Sequence, residues 1–338
     1  MVSKIFMLII LKEDLPMTLN KNNNLYAFSI LVKKEIADHI RSWKFIILLA
    51  IILLTCIASL YTALQALKNT APVPNDPDAA FFFLKIFTTS DGTMPSFHLF
   101  VGFLGPLLGI CLGFDAVNSE FNGRMLGRIL SQPIHRDYFL NAKFIGALTV
   151  IGVLFTSLIL LTIGAATLLV GFPPTFMECN RLFLFTLLTI VYVAFWLNLS
   201  ILFSVRFRHT ATSALVAIAI WLFFTVFYPI IINIVAKAVQ PNPYASDAEI
   251  MQYQHFMLTL MRFAPSQLYS DGTNMLLMPS IRSLGPLHME QLQGAIPSPL
   301  PIWESIKVAW SQMVALIACT IMCFAASYYF FMRKEIRC

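Results

Sequence analysis

Six long apolar runs are the feature that most restricts how this chain can fold. Each has about the 20 residues that a helix needs to cross the hydrocarbon core of a membrane. Only 12% of the residues are charged, against about 25% in ordinary globular proteins, and the mean hydropathy is +0.75. We therefore predict an all-α polytopic membrane protein. The six predicted spans cover residues 44–64, 97–117, 144–170, 182–205, 211–236 and 308–332.

The basic residues predict how these spans are oriented. Of the 23 Lys and Arg residues, 16 fall in the N-terminal segment together with Lys44, the loop 118–143, the turn 206–209 and the C-terminal tail. An even number of spans puts these four regions on one side, and cytoplasmic loops carry the excess of Lys and Arg. We expect both termini in the cytoplasm of a multi-pass inner-membrane protein. The net charge of +6 thus reflects topology rather than a nucleic-acid partner.

The N-terminal segment 1–43 is predicted to contain an amphipathic helix. Apolar residues in 24–42 recur at helical spacing between charged ones, as in a helix lying on the inner membrane surface, although a solvated helix has a similar pattern. The apolar stretch before it, Ile5–Leu11, is too short to span and lacks a small-residue cleavage site, so we expect no cleaved signal peptide. Met17 is an alternative start to Met1.

The first five predicted spans lie within residues 44–236, and the last span with the C-terminal tail covers residues 308–338. The segment between them, residues 237–307, is too long for a structureless connection. Ser246 and Glu249 form a capping-box pattern, after which apolar residues repeat at helical intervals until Pro265. We predict an amphipathic helix packed on the outer mouth of the bundle. A second short helix is expected within 266–279, and loop within 285–301. The segment is therefore a folded extracytoplasmic insertion.

Metal sites and disulfides are weakly indicated. Four of the six cysteines lie in apolar runs and only Cys179 falls in a segment predicted to lie outside the cell, so no outer disulfide is expected. Cys319 and Cys323 are spaced as packing residues of a helix. Thioethers suit Cu(I), but methionine at helical spacing usually serves packing. The candidates for an outer copper site are Met251, His255, Met257, Met261, His288 and Met289. We expect no metal, and leave open whether the insertion binds copper or a partner.

The sequence offers no catalytic constellation. It contains no G-x-x-x-x-G-K-[S/T] motif, so ATP binding and hydrolysis are not expected of this chain. The predicted spans carry no ionisable residue away from their ends, whereas ion-coupled transporters usually need one at depth. These observations favour a transport subunit driven by a partner over an enzyme or a secondary transporter.

Small residues recur every four positions in the second predicted span, at Gly105, Gly109 and Gly113. This spacing allows the backbones of two membrane helices to approach closely. The partner is either another span of the same chain, which we favour, or another subunit.

The polar segment 114–143 joins two strongly apolar runs and is dense in charge. It resembles the loop after the second span of ABC-2 type transporter permeases, which commonly reads Asp, Glu, a Gly-Thr-Leu step, then Ser-Gln-Pro and Arg. The matching positions are Asp115, Glu120, Leu126, Ser131, Gln132, Pro133, Arg136 and Lys143. Gly123 lies one step early, and Arg124-Met125 replaces the family's Gly-Thr.

Two further features extend the resemblance over the whole chain. The last span is rich in aromatic residues and is followed by Arg333-Lys-Glu-Ile336, which is similar to the family's Arg-x-Glu-Ile ending. Members of the family also have an elbow helix at the position of the amphipathic N-terminal helix predicted here. Phe114-Asp-Ala-Val-Asn118 is similar to the subgroup that includes permeases linked to copper-enzyme maturation.

The resemblance implies the transmembrane permease subunit of an ATP-driven exporter. It implies two permease copies, which we expect to form a homodimer, although a heterodimer stays open. It also implies separate ATPase subunits that hold ATP and magnesium and contact the 114–143 loop. A membrane anchor or maturation factor that recruits an ATPase without moving a substrate is the alternative. The substrate class stays open among lipids, peptides, drugs, metal-linked species and polysaccharides.

Overall fold

The computed structural model describes residues 21–69, 81–123, 136–242, 245–281 and 299–333, and the regular elements in these ranges are all helical. Six helices are long and apolar enough to cross a membrane, which confirms the predicted all-α polytopic architecture. We call them the first to sixth spans. Their bounds are Trp43–Asn69, Phe97–Gly113, Arg136–Val170, Phe176–Arg206, Thr210–Val239 and Ile302–Arg333, and after the second span a turn and a short helix continue the same helical stretch to Asn122.

The helices extend beyond the apolar runs that predicted them. The third span begins at Arg136 rather than at residue 144, and the sixth begins at Ile302 rather than at residue 308. With 35 residues at about 1.5 Å each, the third span is longer than the hydrocarbon core. Its first turns are polar because they lie beyond the apolar layer, where hydropathy gives no signal.

The fourth span begins at Phe176 rather than at residue 182, because a capping box starts it. The Thr175 hydroxyl accepts from the backbone N–H of Glu178, and the Glu178 carboxylate accepts from the backbone N–H of Thr175. Thr175-x-x-Glu178 is the same motif that predicts the helix after Ser246. The two reciprocal bonds satisfy backbone donors that an uncapped helix start leaves unpaired.

The fifth span contains one turn of π-helix at Phe223–Phe227. Pro229 follows it and has no N–H to donate to the carbonyl of residue 225, so the regular α-helical bond is lost there. The Tyr228 N–H instead donates to the Phe223 carbonyl, five residues back. The π turn is therefore the local accommodation of proline inside a long helix.

The fourth span forms the centre of the bundle. Of its most apolar window, 67% is buried, against 17% for the fifth and the sixth spans. It packs on the second and the sixth spans, and its largest fully buried aromatic side chains are Phe185, Tyr192 and Trp196. This one helix therefore contacts elements at both ends of the bundle.

One end of the bundle, the elbow end, carries a helix outside the spans. This elbow helix, Lys21–Ile40, packs along the start of the third span, with the rings of Phe28 and Tyr138 5.5 Å apart. Arg41 and Ser42 alone separate it from the first span. Its bounds agree with the predicted amphipathic helix, but Glu35, rather than an apolar residue, is the most buried of the side chains described in it, which begin at Tyr26.

At the opposite end, the cap end, the described residues form three helices: cap helix 1 (Phe82–Thr88), cap helix 2 (Asp247–Met261) and cap helix 3 (Pro265–Leu277). The predicted capping box of Ser246 and Glu249 is confirmed. Pro265 lies at the start of cap helix 3, where its missing N–H costs nothing, so it begins a helix as well as following one. The loop predicted within 285–301 lies mostly outside the described residues.

The two helices predicted in the insertion pack on different parts of the bundle end. Cap helix 2 contacts mainly the end of the fifth span, whereas cap helix 3 packs among the fourth, sixth and second spans. Tyr269 of cap helix 3 stacks on Tyr192 at a centroid distance of 4.3 Å and bonds to Thr189. Cap helix 3 is favoured because Leu268, Met275 and Leu276 bury an apolar face while Tyr269 finds a polar partner.

Candidate functional site

The segment after the second span is built as a corner on the fourth span. The long helix ends at Gly113, a turn follows, and a short helix runs from Asn118 to Asn122. The backbone N–H groups of Val117 and Asn118 donate to the Ser204 hydroxyl at 2.9 and 3.2 Å. Because one buried hydroxyl receives both donors, the corner has a fixed position at the elbow end.

A second contact joins this corner to the turn between the fourth and the fifth spans. The Asn122 side-chain amide donates to the backbone carbonyl of Arg208 at 2.9 Å. Both partners are exposed, so the bond contributes position more than stability.

Four charged side chains form what we call the elbow ion network: Lys34, Glu35, Glu120 and Lys143. The Lys143 Nζ atom donates to Glu120 Oε1 at 2.7 Å and to Glu35 Oε2 at 3.0 Å. The Lys34 Nζ atom lies 3.0 Å from Glu35 and 3.3 Å from Glu120. The network therefore joins the elbow helix, the corner after the second span and the start of the third span.

The charges of this network are paired because two of its side chains are buried. The Lys143 side chain is 5% exposed and the Glu35 side chain 8%, and an unpaired charge at such depth would be costly. Burial alone raises the pKa of Glu35, but Lys143 and Lys34 outweigh it, so that pKa is lowered from its ordinary value. Burial lowers the pKa of Lys34, but Glu35 and Glu120 outweigh it, so that pKa is raised. Both groups are thus held in their charged forms.

Two further predicted site residues bind within the same end of the chain. Asp115 forms an ion pair with Lys44, whose ammonium also lies 4.4 Å from the centroid of the Phe114 ring. The Arg136 guanidinium donates to the Phe331 carbonyl at 3.1 Å and lies over the Phe331 ring. The start of the third span is thereby connected to the end of the sixth.

The predicted coupling residues thus divide into two groups. Asp115, Glu120, Arg136 and Lys143 are brought together at the elbow end in contacts within the chain, and Gly123 ends the short helix there. The others lie outside the described residues: Arg124, Leu126, Ser131, Gln132 and Pro133.

The three glycines of the second span pack against the fourth span of the same chain. A Cβ atom on Gly109 would lie 2.6 Å from the Val193 carbonyl oxygen, and one on Gly113 would lie 2.8 Å from that of Leu197. On Gly105 it would meet the Val193 side chain at 2.9 Å. The repeat is therefore occupied within the subunit, which positions the corner on the fourth span.

The chain also matches the sequence model of a known protein family. The sequence model of the family described as "ABC-2 family transporter protein" matches residues 29–336, nearly the whole chain. The chain belongs to the ABC-2 transporter family. It is therefore a transmembrane permease of an ABC transporter and a multi-pass membrane protein.

One curated relative is similar to this ABC-2 permease over part of its length. The "Probable ABC transporter permease protein NosY" of Stutzerimonas stutzeri is 26% identical over 154 residues, which cover 43% of this chain and 53% of the relative. The matched part of the chain thus spans about half the length of that relative.

Two buried ionic residues at the cap end of the permease escape the sequence analysis. Besides capping its own helix, Glu178 accepts from the Phe83 N–H of cap helix 1 at 2.8 Å. Arg181 is buried and donates to the carbonyl of Leu276 at 2.9 Å, to that of Leu300, and to the Ser305 hydroxyl at 3.3 Å. The first turns of the fourth span thereby hold cap helix 1, cap helix 3 and the start of the sixth span. In the sequence, the capping motif Thr175-x-x-Glu178 could have indicated that a helix begins here and that Glu178 has a structural role.

A metal centre finds little support in the described parts of the permease, where no group of three or more His, Cys, Asp and Glu residues is placed to hold an ion. Of the residues considered for copper, His255 is exposed and Met257 is buried on cap helix 2. They therefore lie on different faces. His288 and Met289 lie outside the described residues.

Proposed function

We propose that this permease is the membrane subunit of an ATP-driven exporter and that a separate ATPase drives it through the 114–143 segment. Two copies of the chain would pair with two ATPase subunits, which would hold ATP and magnesium. Family membership supports the transport role, and the sequence has no phosphate-binding loop of its own.

The observation that carries the proposal is the attachment of the corner after the second span. Ser204 binds its backbone, Asn122 reaches the turn at Arg208, and Glu120 pairs with Lys143. A displacement of this corner would act on the second, third, fourth and fifth spans together, because packed helices move as rigid bodies more readily than they bend. A segment built in this way suits a subunit that receives mechanical work from a partner.

The same geometry supports a cytoplasmic location for the elbow end. The corner bonds to the 206–209 turn, and the start of the third span bonds to both the elbow helix and the end of the sixth span. These regions therefore lie at one end of the bundle, and they hold most of the Lys and Arg residues. Under the positive-inside rule they would face the cytoplasm, and the cap end the outside. An ATPase that uses cytoplasmic ATP could then reach the corner.

The proposal is tested on the complex isolated through an affinity tag on this chain. We expect an ATPase subunit to co-purify, and its hydrolysis in lipid vesicles to rise when a transported compound is added. Accumulation of that compound on the cap side of the membrane would establish export. A complex that hydrolyses ATP with no compound moved would instead favour the anchoring or assembly role.

A further inference from the structure

A cavity of about 160 Å³ lies at the elbow end, where the elbow helix faces the start of the first span and the corner. Its wall is polar, so the space can hold several water molecules. His39 of the elbow helix is part of this wall and is partly buried. The cavity therefore places an imidazole ring between elements that come together only when the chain folds.

His39 differs from the other described residues of the wall in its chemistry near neutral pH. Imidazole ordinarily changes charge between about pH 5 and 8, whereas carboxylates, ammonium groups and thiols titrate outside that range. Titratable groups reach the cavity from each surrounding element. They are Glu35 and Asp38 on the elbow helix, Lys44 on the first span, Cys111, Asp115 and Glu120 on the second span and the corner, and Lys143 on the third span. Within the described wall, His39 alone can thus change the charge of the cavity at physiological pH.

The carboxylates of the wall already have cationic partners. The pairs are Glu35 and Glu120 with Lys143, Asp115 with Lys44, and Asp38 with Lys34. A neutral imidazole ring fits among these paired charges. An imidazolium instead adds a positive charge to a space that two ammonium groups already share.

We propose that this cavity is a proton-sensitive switch, which is closed around a neutral His39 ring and opens to water when the ring is protonated. The cavity and its charges belong to this chain alone, so the switch does not depend on the proposed function. With the elbow end in the cytoplasm, as proposed above, the switch would respond to cytoplasmic pH.

The direction of the switch follows from where the proton binds more tightly. Burial lowers the pKa of His39 from its ordinary 6.5, while Glu35 acts against this decrease and Lys143 adds to it. A hydrated ring therefore binds a proton more tightly than the ring in the closed cavity. Because a ligand shifts an equilibrium toward the state that binds it better, acid favours the open state. Above about pH 6.5 the ring is mostly neutral in both states, and the closed cavity is favoured.

Cys111 provides a reporter of the opening, because its side chain lines the cavity. The other five cysteines are replaced by alanine to give a parent protein with one thiol, which is placed in lipid nanodiscs. The rate at which dithiodipyridine modifies Cys111 is then measured over a pH series, since this reagent still reacts with thiols in acid. The ionisation of the thiol itself cancels when two proteins that differ only at position 39 are compared at the same pH.

Three variants separate the switch from other effects of acid: His39→Gln, His39→Arg and His255→Gln. The ratio of the parent rate to the His39→Gln rate should rise at least about threefold between about pH 7.5 and 5.5, where the ordinary pKa of 6.5 permits up to about tenfold. The permanently charged His39→Arg should react at neutral pH at least about threefold faster than His39→Gln. His255→Gln is the matched control, because His255 is exposed on cap helix 2, and it should follow the parent.

A ratio that stays constant with pH would overturn the switch, as would equal rates for His39→Arg and His39→Gln at neutral pH. Loss of the acid response in His255→Gln would place its source at the cap end and would contradict the role of His39. Where neither variant at position 39 folds, the parent rate is compared with that of free cysteine at the same pH values. A ratio that does not rise on acidification would then contradict an opening of the cavity.

Discussion

The Nζ atom of Lys143 lies 2.7 Å from Oε1 of Glu120, and this contact ties the third span to the corner that follows the second. The same ammonium reaches Glu35 of the elbow helix at 3.0 Å. The loop that resembles the family's ATPase contact is therefore anchored from within the membrane subunit. Glu120 and Lys143 position the loop, while the residues between them remain the candidate contact for the ATPase.

Removing Lys143 should destabilise the permease. Lys143→Met leaves Glu35 and Glu120 in buried surroundings with one partner lost, so we expect a loss of about 3–5 kcal/mol in the free energy of unfolding. Thermal unfolding in detergent would measure it. Lys307→Met is the matched control, because its pair with Glu304 is exposed, and it should change stability by less than about 1 kcal/mol. Equal effects in both variants would contradict the buried network.

The glycine repeat gives a second prediction. Gly109→Ala would place a Cβ against the backbone of Val193 and Leu197, which cannot turn aside as a side chain can. We expect a loss of about 1–3 kcal/mol in unfolding free energy from overpacking. Gly164→Ala, in the third span, meets no atom within 4 Å and should be neutral or slightly stabilising. A neutral Gly109→Ala would show that the second and fourth spans are less closely packed.

These two sites differ in how far the sequence could predict them. The number of spans, the glycine repeat and the capping box at Ser246 follow from local patterns, because each depends on residues a few positions apart. The pairing of Lys143 with Glu35 spans 108 positions and depends on the elbow helix folding back onto the third span. Neither hydropathy nor spacing encodes that approach. For the same reason the sequence did not reveal that Arg181 would bind carbonyls near residues 276 and 300.

The elbow end should also respond to pH. Burial lowers the pKa of His39 from its ordinary 6.5, so protonation favours the unfolded state and stability should fall as the pH drops below that value. The lowered pKa of Glu35 gives stability that is present above its ordinary 4.5 and is lost on further acidification. The raised pKa of Lys34 gives stability that is full below 10.5 and is lost as the pH rises through the folded value.

We therefore expect a plateau of unfolding temperature between about pH 6.5 and 10.5, with a decline on both sides. Thermal unfolding across a pH series would measure it. Glu35→Gln should remove part of the lower acid limb, and an unaltered profile in that variant would exclude Glu35 as its source.

At the cap end, Arg181 should control the order of cap helix 3. Arg181→Met removes the donor to Leu276 at the end of that helix and to Leu300 before the sixth span. Hydrogen bonds to a charged group contribute about 1.5–3 kcal/mol each, so hydrogen exchange within Pro265–Leu277 should become at least about tenfold faster. Lys237→Met, at an exposed position near the end of the fifth span, serves as the control. Unchanged exchange in Arg181→Met would mean that cap helix 3 is held by its apolar face alone.

The most direct test of coupling is site-specific photo-crosslinking in intact membranes. A photoreactive residue at Gln132, within the segment that resembles the family's ATPase contact, is compared with one at His255, which is exposed on cap helix 2. We expect the ATPase subunit to be captured from position 132 and not from position 255. Capture from position 255 would contradict the assignment of the elbow end to the cytoplasm. Capture from neither position, in a complex that retains its ATPase, would contradict the coupling segment.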